Sequence, residues 1–192
     1  MPIITLEPAT TEPVLLEEVR AQCRIDSDIT DEDALLQGLI STAREYCEKH
    51  TGRHFAAKTL HYIGNWCAGK IELSPNLKTV SFIQYRDHDN EQQSFPDTEY
   101  YVDSASLMGA VIPFSTWPST YPAHPQPVTI EFEVGDTDES GNSSCPYGVK
   151  QAILLLVAHW YENRSAVAFS GTSKEVEYSV SALLAPHRVL NV

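Results

Sequence analysis

From Val149 onward the apolar residues recur at helical spacing, with Val149, Ile153, Leu156, Val157 and Trp160 forming one stripe. Ala152, Leu155, Ala158 and His159 form a second stripe beside it, which leaves little purely polar face. Pro146 suits a first helical position, where the missing N–H loses no intrahelical bond. A helix apolar on both sides needs two layers of partners, from its own chain or from a neighbouring copy. The pattern therefore predicts a central core helix over Pro146–Arg164. Earlier in the chain, Leu16, Val19 and Cys23 predict a short helix over Leu15–Cys23. Thr30 is a candidate N-cap, and Asp31, Glu32 and Asp33 complement the positive end of a second helix running to about His50. Leu36, Leu39, Ile40, Ala43, Tyr46 and Cys47 would be its buried face, and Gly52 its left-handed stop.

After Arg53 the period changes from helical to alternating. Thr59–Ile63, Lys70–Leu73, Val80–Tyr85, Tyr100–Asp103, Ala110–Ile112 and Val128–Val134 predict short strands, with Asp87–Asn90 as a hairpin tip. Five prolines between Pro113 and Pro127 mark an irregular arm, and Met1–Pro13 reads as an extended lead-in. Towards the C-terminus, Ser165–Lys174 is a soft polar link, and Ser179 caps a short last helix over Val180–Ala185, stopped by Pro186. The expected fold is α+β: a mainly helical core with a small antiparallel β-region inserted. The helical parts would span 14–53 and 145–192 and the β-region about 56–134, all within a single domain of 192 residues.

Thirteen Lys+Arg against 26 Asp+Glu give a formal charge of −13. That balance argues against tight duplex binding, which depends on cations displacing counterions from phosphates. It suits a surface that nucleic acid passes without sticking. Cys23, Cys47, Cys67 and Cys145 contain no Cys-x-x-Cys pair, and Cys23 and Cys47 fall in helical patterns as small core residues. The first residues carry neither a basic region nor a long apolar run, so no signal peptide is read there, and synthesis in a reducing cytoplasm is expected. The central helix is too short and too polar at its ends for a bilayer, which needs about 20 apolar residues.

Each chemical signal fails at a definite position. Asp136-Thr-Asp-Glu-Ser-Gly141 imitates the first half of a calcium loop, but Tyr147 stands where a bidentate Glu belongs. Cys145 precedes a helix start, where a thiol can be activated, yet His159 lies about 20 Å further along that helix. His50 and His54 are separated by the helix-breaking Gly52. Neither a phosphate-binding loop nor a Gly-x-Ser-x-Gly elbow occurs. No enzyme, metal or cofactor is expected.

The order of motifs resembles the head–tail connector (adaptor, or head-completion) family of tailed bacteriophages and prophages. The matching residues are Leu16-Glu-Glu-Val with Arg24-Ile-Asp26, then Asp33-x-Leu-Leu36, Ile40-x-x-Ala-Arg-Glu-Tyr46 and Thr51-Gly-Arg53. In the second half they are Val149 to Arg164 and Ser181-Ala-Leu-Leu-Ala-Pro-His-Arg188. Leu15 departs from the Ser or Thr cap expected there, and the β-insertion marks a longer subgroup than the nearly all-helical small members. The resemblance implies a ring of about a dozen subunits below the portal protein, through which genomic DNA passes without sequence-specific binding. It also implies docking of a stopper or tail-completion protein, assembly in the bacterial cytoplasm, and residence at the virion's head–tail junction. The subunit or portal interface would involve Trp160, Tyr161, Arg164, Val180, Leu183, Leu184, Val189 and Leu190. Two alternatives stand beside it: a stopper or tail-completion protein of the same virion, and a host-encoded module for a small ligand or peptide. Portal, protease and capsid genes just upstream would favour the connector.

Overall fold

Four α-helices and eight strands make up the computed structural model, which describes residues 3–7, 9, 11–138, 143–164 and 172–189. The chain divides into two compact units, one of Met1–Thr10 with Ala57–Asp136, the other of Thr11–Ala56 with Thr137–Val192.

The second of these is helical. It comprises α1 (Leu16–Cys23), α2 (Asp33–Thr51), α3 (Tyr147–Glu162) and α4 (Thr172–Leu184), followed by a 3-10 turn over Ala185–His187. Helix α3 packs against α1, α2 and α4. Its buried face is Val149, Ala152, Ile153, Leu156 and Val157, meeting Leu36, Ile40 and Ala43 of α2 and Val180 and Leu184 of α4 in one core. Leu155 of the second stripe and its neighbour Leu154 are only partly buried. At the start of α1 the expected Ser or Thr is replaced functionally by Glu18, whose carboxylate accepts the Leu15 N–H at 2.7 Å. Helix α2 begins at Asp33 with Glu32 as its cap residue, two residues after the expected start, and Gly52 closes it at φ 72°, donating its N–H to the Glu48 carbonyl.

The other unit is built of antiparallel strands. Strands β1 (Ile3–Glu7), β2 (Lys58–Gly64), β4 (Leu77–Arg86), β5 (Gln92–Phe95) and β8 (Val128–Val134) form a five-stranded sheet ordered β1-β2-β8-β4-β5. Strands β3 (Ile71–Glu72), β6 (Tyr100–Asp103) and β7 (Ala110–Pro113) form a second sheet ordered β3-β7-β6. Alternation along β8 puts Val128, Ile130, Phe132 and Val134 in the core, each fully buried, with Thr129, Glu131 and Glu133 between them. Leu60, Tyr62, Ile83, Ile71, Tyr100 and Val111 complete that core from both sheets. Gly109 is required by close approach. A Cβ there would lie 2.2 Å from the Leu77 Cβ and 2.9 Å from the Ser74 carbonyl oxygen, where the two backbones exchange hydrogen bonds.

The expectation of a mainly helical core is corrected by this architecture: the chain is mixed, with two antiparallel sheets beside four helices. Part of the extended lead-in is β1, whose Ile3, Ile4 and Thr5 pair with Tyr62, His61 and Leu60 of β2. Part of the region beyond the hairpin tip is β5, paired residue by residue with Ile83–Arg86. The last helix is also longer than expected, starting at Thr172 instead of Val180. The Ser165–Lys174 link lies outside the described residues up to residue 171, and its last three residues belong to α4.

Candidate assembly surface

The end of α3 carries three of the residues expected at an interface. Tyr161 donates its O–H to one carboxylate oxygen of Glu32, and Arg164 donates from Nη2 to the other at 2.7 Å. The Arg164 guanidinium sits 4.7 Å from the centre of the Tyr161 ring, a cation–π contact that makes the three side chains one cluster. The Tyr161 hydroxyl, and then Arg164, hold the Glu32 carboxyl below its ordinary pKa. Glu32 in turn raises the Tyr161 phenol and the Arg164 guanidinium. Trp160 meets Tyr46 of α2 edge-to-face at 6.5 Å, and Tyr46 stacks on His50 at 6.1 Å. With Tyr46 40% exposed, this aromatic group reaches the surface of the helical unit.

The C-terminal residues divide differently from expectation. Val180 and Leu184 are fully buried in the subunit's own helical core, so neither side chain is available at the surface of the fold. Leu183 is half-buried against the same core, and Val189 is half-buried with its N–H donated to the Thr51 carbonyl at 2.7 Å. That bond satisfies one of the four carbonyls that end α2 without an intrahelical partner. Leu190 lies outside the described residues.

Arg44 and Glu48 of α2 are nearly buried and form the unit's internal polar network. Arg44 donates to Glu48 at 3.0 Å and to Glu12 at 2.8 Å. The second Glu48 oxygen accepts the Phe55 and Ala56 N–H groups at 2.9 and 3.3 Å, pinning the chain where it leaves α2. Despite the cost of burial, the two carboxylates leave the Arg44 pKa raised.

In the β-unit, Trp66 and Trp117 stack at 4.4 Å and 6° within a group that includes Tyr85, Phe95 and Tyr100. The proline arm is tied down: Pro125 and Pro127 carbonyls accept from Asn65 and from the Arg86 N–H, and the Arg86 carbonyl accepts the Tyr121 N–H. A shallow groove of about 300 Å³ lies between this arm and Gln84, Arg86 and Thr129. Asp136 of the calcium-like motif accepts from the Asn76 amide, residues 139–142 lie outside the described residues, and no cluster of three or more His, Cys, Asp or Glu suited to a metal occurs among the described residues. Among them, also, no helix is long and apolar enough to cross a membrane.

Glu32 and Tyr46 complete the cluster at the end of α3 and were not expected there. Glu32 reads in sequence only as a helix-start acid, and nothing local links it to residues 129 and 132 positions away.

The family described as phage gp6-like head-tail connector protein matches residues 13–104, from the approach to α1 through β6. The matched range takes in α1, α2 and strands β2 to β6, and the motifs of α3 and α4 lie beyond it. Three solved structures share its fold. One, described as the virion of a native gene transfer agent (GTA) particle, aligns at TM-score 0.80 and 19% identity. The others are the neck of an empty GTA particle computed with C6 symmetry (TM-score 0.79, 20% identity) and the neck of a native GTA particle computed with C12 symmetry (0.75, 20%). Each alignment covers 100% of this chain and 97% of the other. No curated protein matches the chain.

Proposed function

We propose that this chain is the connector (adaptor) subunit of a phage or phage-like particle, acting as one 192-residue structural unit in a ring below the portal. The observation that carries the reading is the match of residues 13–104 to the head–tail connector family combined with a full-length fold match to chains of particles whose necks were computed with six- and twelve-fold symmetry. The subunit assembles in the host cytoplasm, resides at the head–tail junction, and presents a platform to a stopper or tail-completion protein. DNA passes through the ring unheld, in keeping with an excess of 26 acidic over 13 basic residues, since a conduit must not neutralise phosphates. The role is mechanical, without catalysis or cofactor.

Portal or neighbour contact falls to the groups the fold leaves accessible: Trp160, Tyr161 and Arg164 at the end of α3, with Leu183 and Val189 on the C-terminal side. Electron microscopy of the protein mixed with its cognate portal tests the proposal. A ring stacked coaxially on the portal is expected. Binding to the tail side of a preformed portal–connector complex, with none to bare portal, would instead make the chain a stopper or tail-completion protein.

A further inference from the structure

A closed ring made from one chain needs two different surfaces that complement each other, because each subunit meets its two neighbours with opposite sides. The β-unit carries exposed apolar side chains at two separate places. On β1, the first strand of the five-stranded sheet, Ile3 and Ile4 are 38% and 53% exposed. On the hairpin of β6 and β7, Tyr101, Leu107 and Phe114 are 54%, 59% and 67% exposed. Tyr101 stands opposite Ile112 across that hairpin, on the side away from the buried Tyr100. The topology sets these two places towards different edges of the five-stranded sheet. Phe95 of β5 stacks on Tyr100 of β6 at 5.9 Å, so β6 accompanies the β5 edge. Strand β1 is the other edge, four strand spacings away, about 19 Å at the usual interstrand distance.

We infer that the β-unit supplies a head-to-tail contact between neighbouring copies of this chain, the β1 edge of one seated against the Tyr101–Phe114 stripe of the next. The inference rests on the ring reading above and gives the β-region a task within it. A second copy is the occupant because both halves of the contact are present on every chain, towards different edges of its sheet. Structures that share this fold over its whole length, β-unit included, come from necks computed with C6 and C12 symmetry, where copies repeat around an axis. The side chains named here are fewer than a full interface, which buries about 1,600 Å², but aromatic anchors carry most of the binding energy. Among the described strands β1 is the outermost of its sheet, an edge that a neighbour would cover.

The test uses full-length protein with the half-buried Cys23 and Cys67 changed to Ser, assembled on portal and treated with a short bis-maleimide. Ile4→Cys and Tyr101→Cys on one chain should give a ladder of linked species, and a mixture of the two single variants should stop at dimers. Each single variant alone should give none. In parallel, Tyr101→Asp with Phe114→Asp should remove rings from the micrographs while circular dichroism stays that of wild type. If this variant unfolds, the crosslinking decides. Linkage by either single variant alone would mean a two-fold contact and overturn the inference, as would normal rings with no crosslink from the double variant. If wild-type protein forms no ring on portal, the ring reading itself fails and takes this contact with it.

Discussion

Glu48 holds three donors at once, because its two oxygens face different groups: Arg44 on one side and the Phe55 and Ala56 amides on the other. Changing it to Ala strips the nearly buried guanidinium of one of its carboxylates and leaves two backbone N–H groups unsatisfied. Breaking a buried pair from one side costs about 3–5 kcal/mol, and urea denaturation of Glu48→Ala should show a loss of that size with an unchanged m-value. Next to it, burial and the Glu48 charge push the Cys47 thiol up to about 12, so it stays protonated at neutral pH. Glu32 behaves differently, being partly open to solvent. Its pKa is depressed in the fold by Tyr161 and Arg164, so its stabilising contribution is present above the unfolded carboxyl range and disappears as pH falls through the lowered folded value. Glu32→Gln should therefore be less heat-stable than wild type at pH 7, and the gap should close in acid. A gap that persists unchanged to the lowest pH would rule out the ionised cluster as its cause.

At the scale of elements, the chain's periodicity exposes what is locally consistent and hides what depends on distant partners. Strand β8 and helices α2 and α3 are legible because their apolar positions repeat at one period over seven or more residues, and β2 and β4 through the shorter runs Thr59–Ile63 and Val80–Tyr85. Strand β5, Gln92-Gln-Ser-Phe95, has a single apolar residue and is a strand only because β4 offers an open edge. Strand β1 is flanked by Pro2 and Pro8 and finds its partner more than fifty residues later. Helix α4 is masked by Lys174, Glu175 and Glu177, yet Val176, Val180 and Leu184 recur at four-residue intervals and pack on the helical core. The same limit applies to the candidate surface: Trp160, Tyr161 and Arg164 stand out in the sequence, whereas Glu32 joins them only through the fold. Because Leu184 is fully buried, Leu184→Ala should destabilise the isolated subunit by about 2–5 kcal/mol, measured by denaturant melts. Unchanged stability with lost portal binding would return Leu184 to the docking surface.

Taken whole, the chain alternates between its units: residues 1–10 and 57–136 build one, and 11–56 and 137–192 the other. The element at the middle of each is late. Strand β8, at residues 128–134, is the only described strand that joins β2 to β4, and α3, at 147–162, is the helix on which α1, α2 and α4 pack. A nascent chain therefore waits. The inner faces of β2 and β4 lack their central strand until residue 134 has been made, and the apolar faces of α1 and α2 lack α3 until residue 162 has been made. Loop-closure entropy must be met before those long-range contacts form, so folding should be slow for a chain of this length. A fragment ending at residue 127 should show no cooperative thermal transition, whereas the full chain should unfold cooperatively. The late commitment means that a chain still being made has neither core finished, and under the ring proposed above only completed chains would enter assembly.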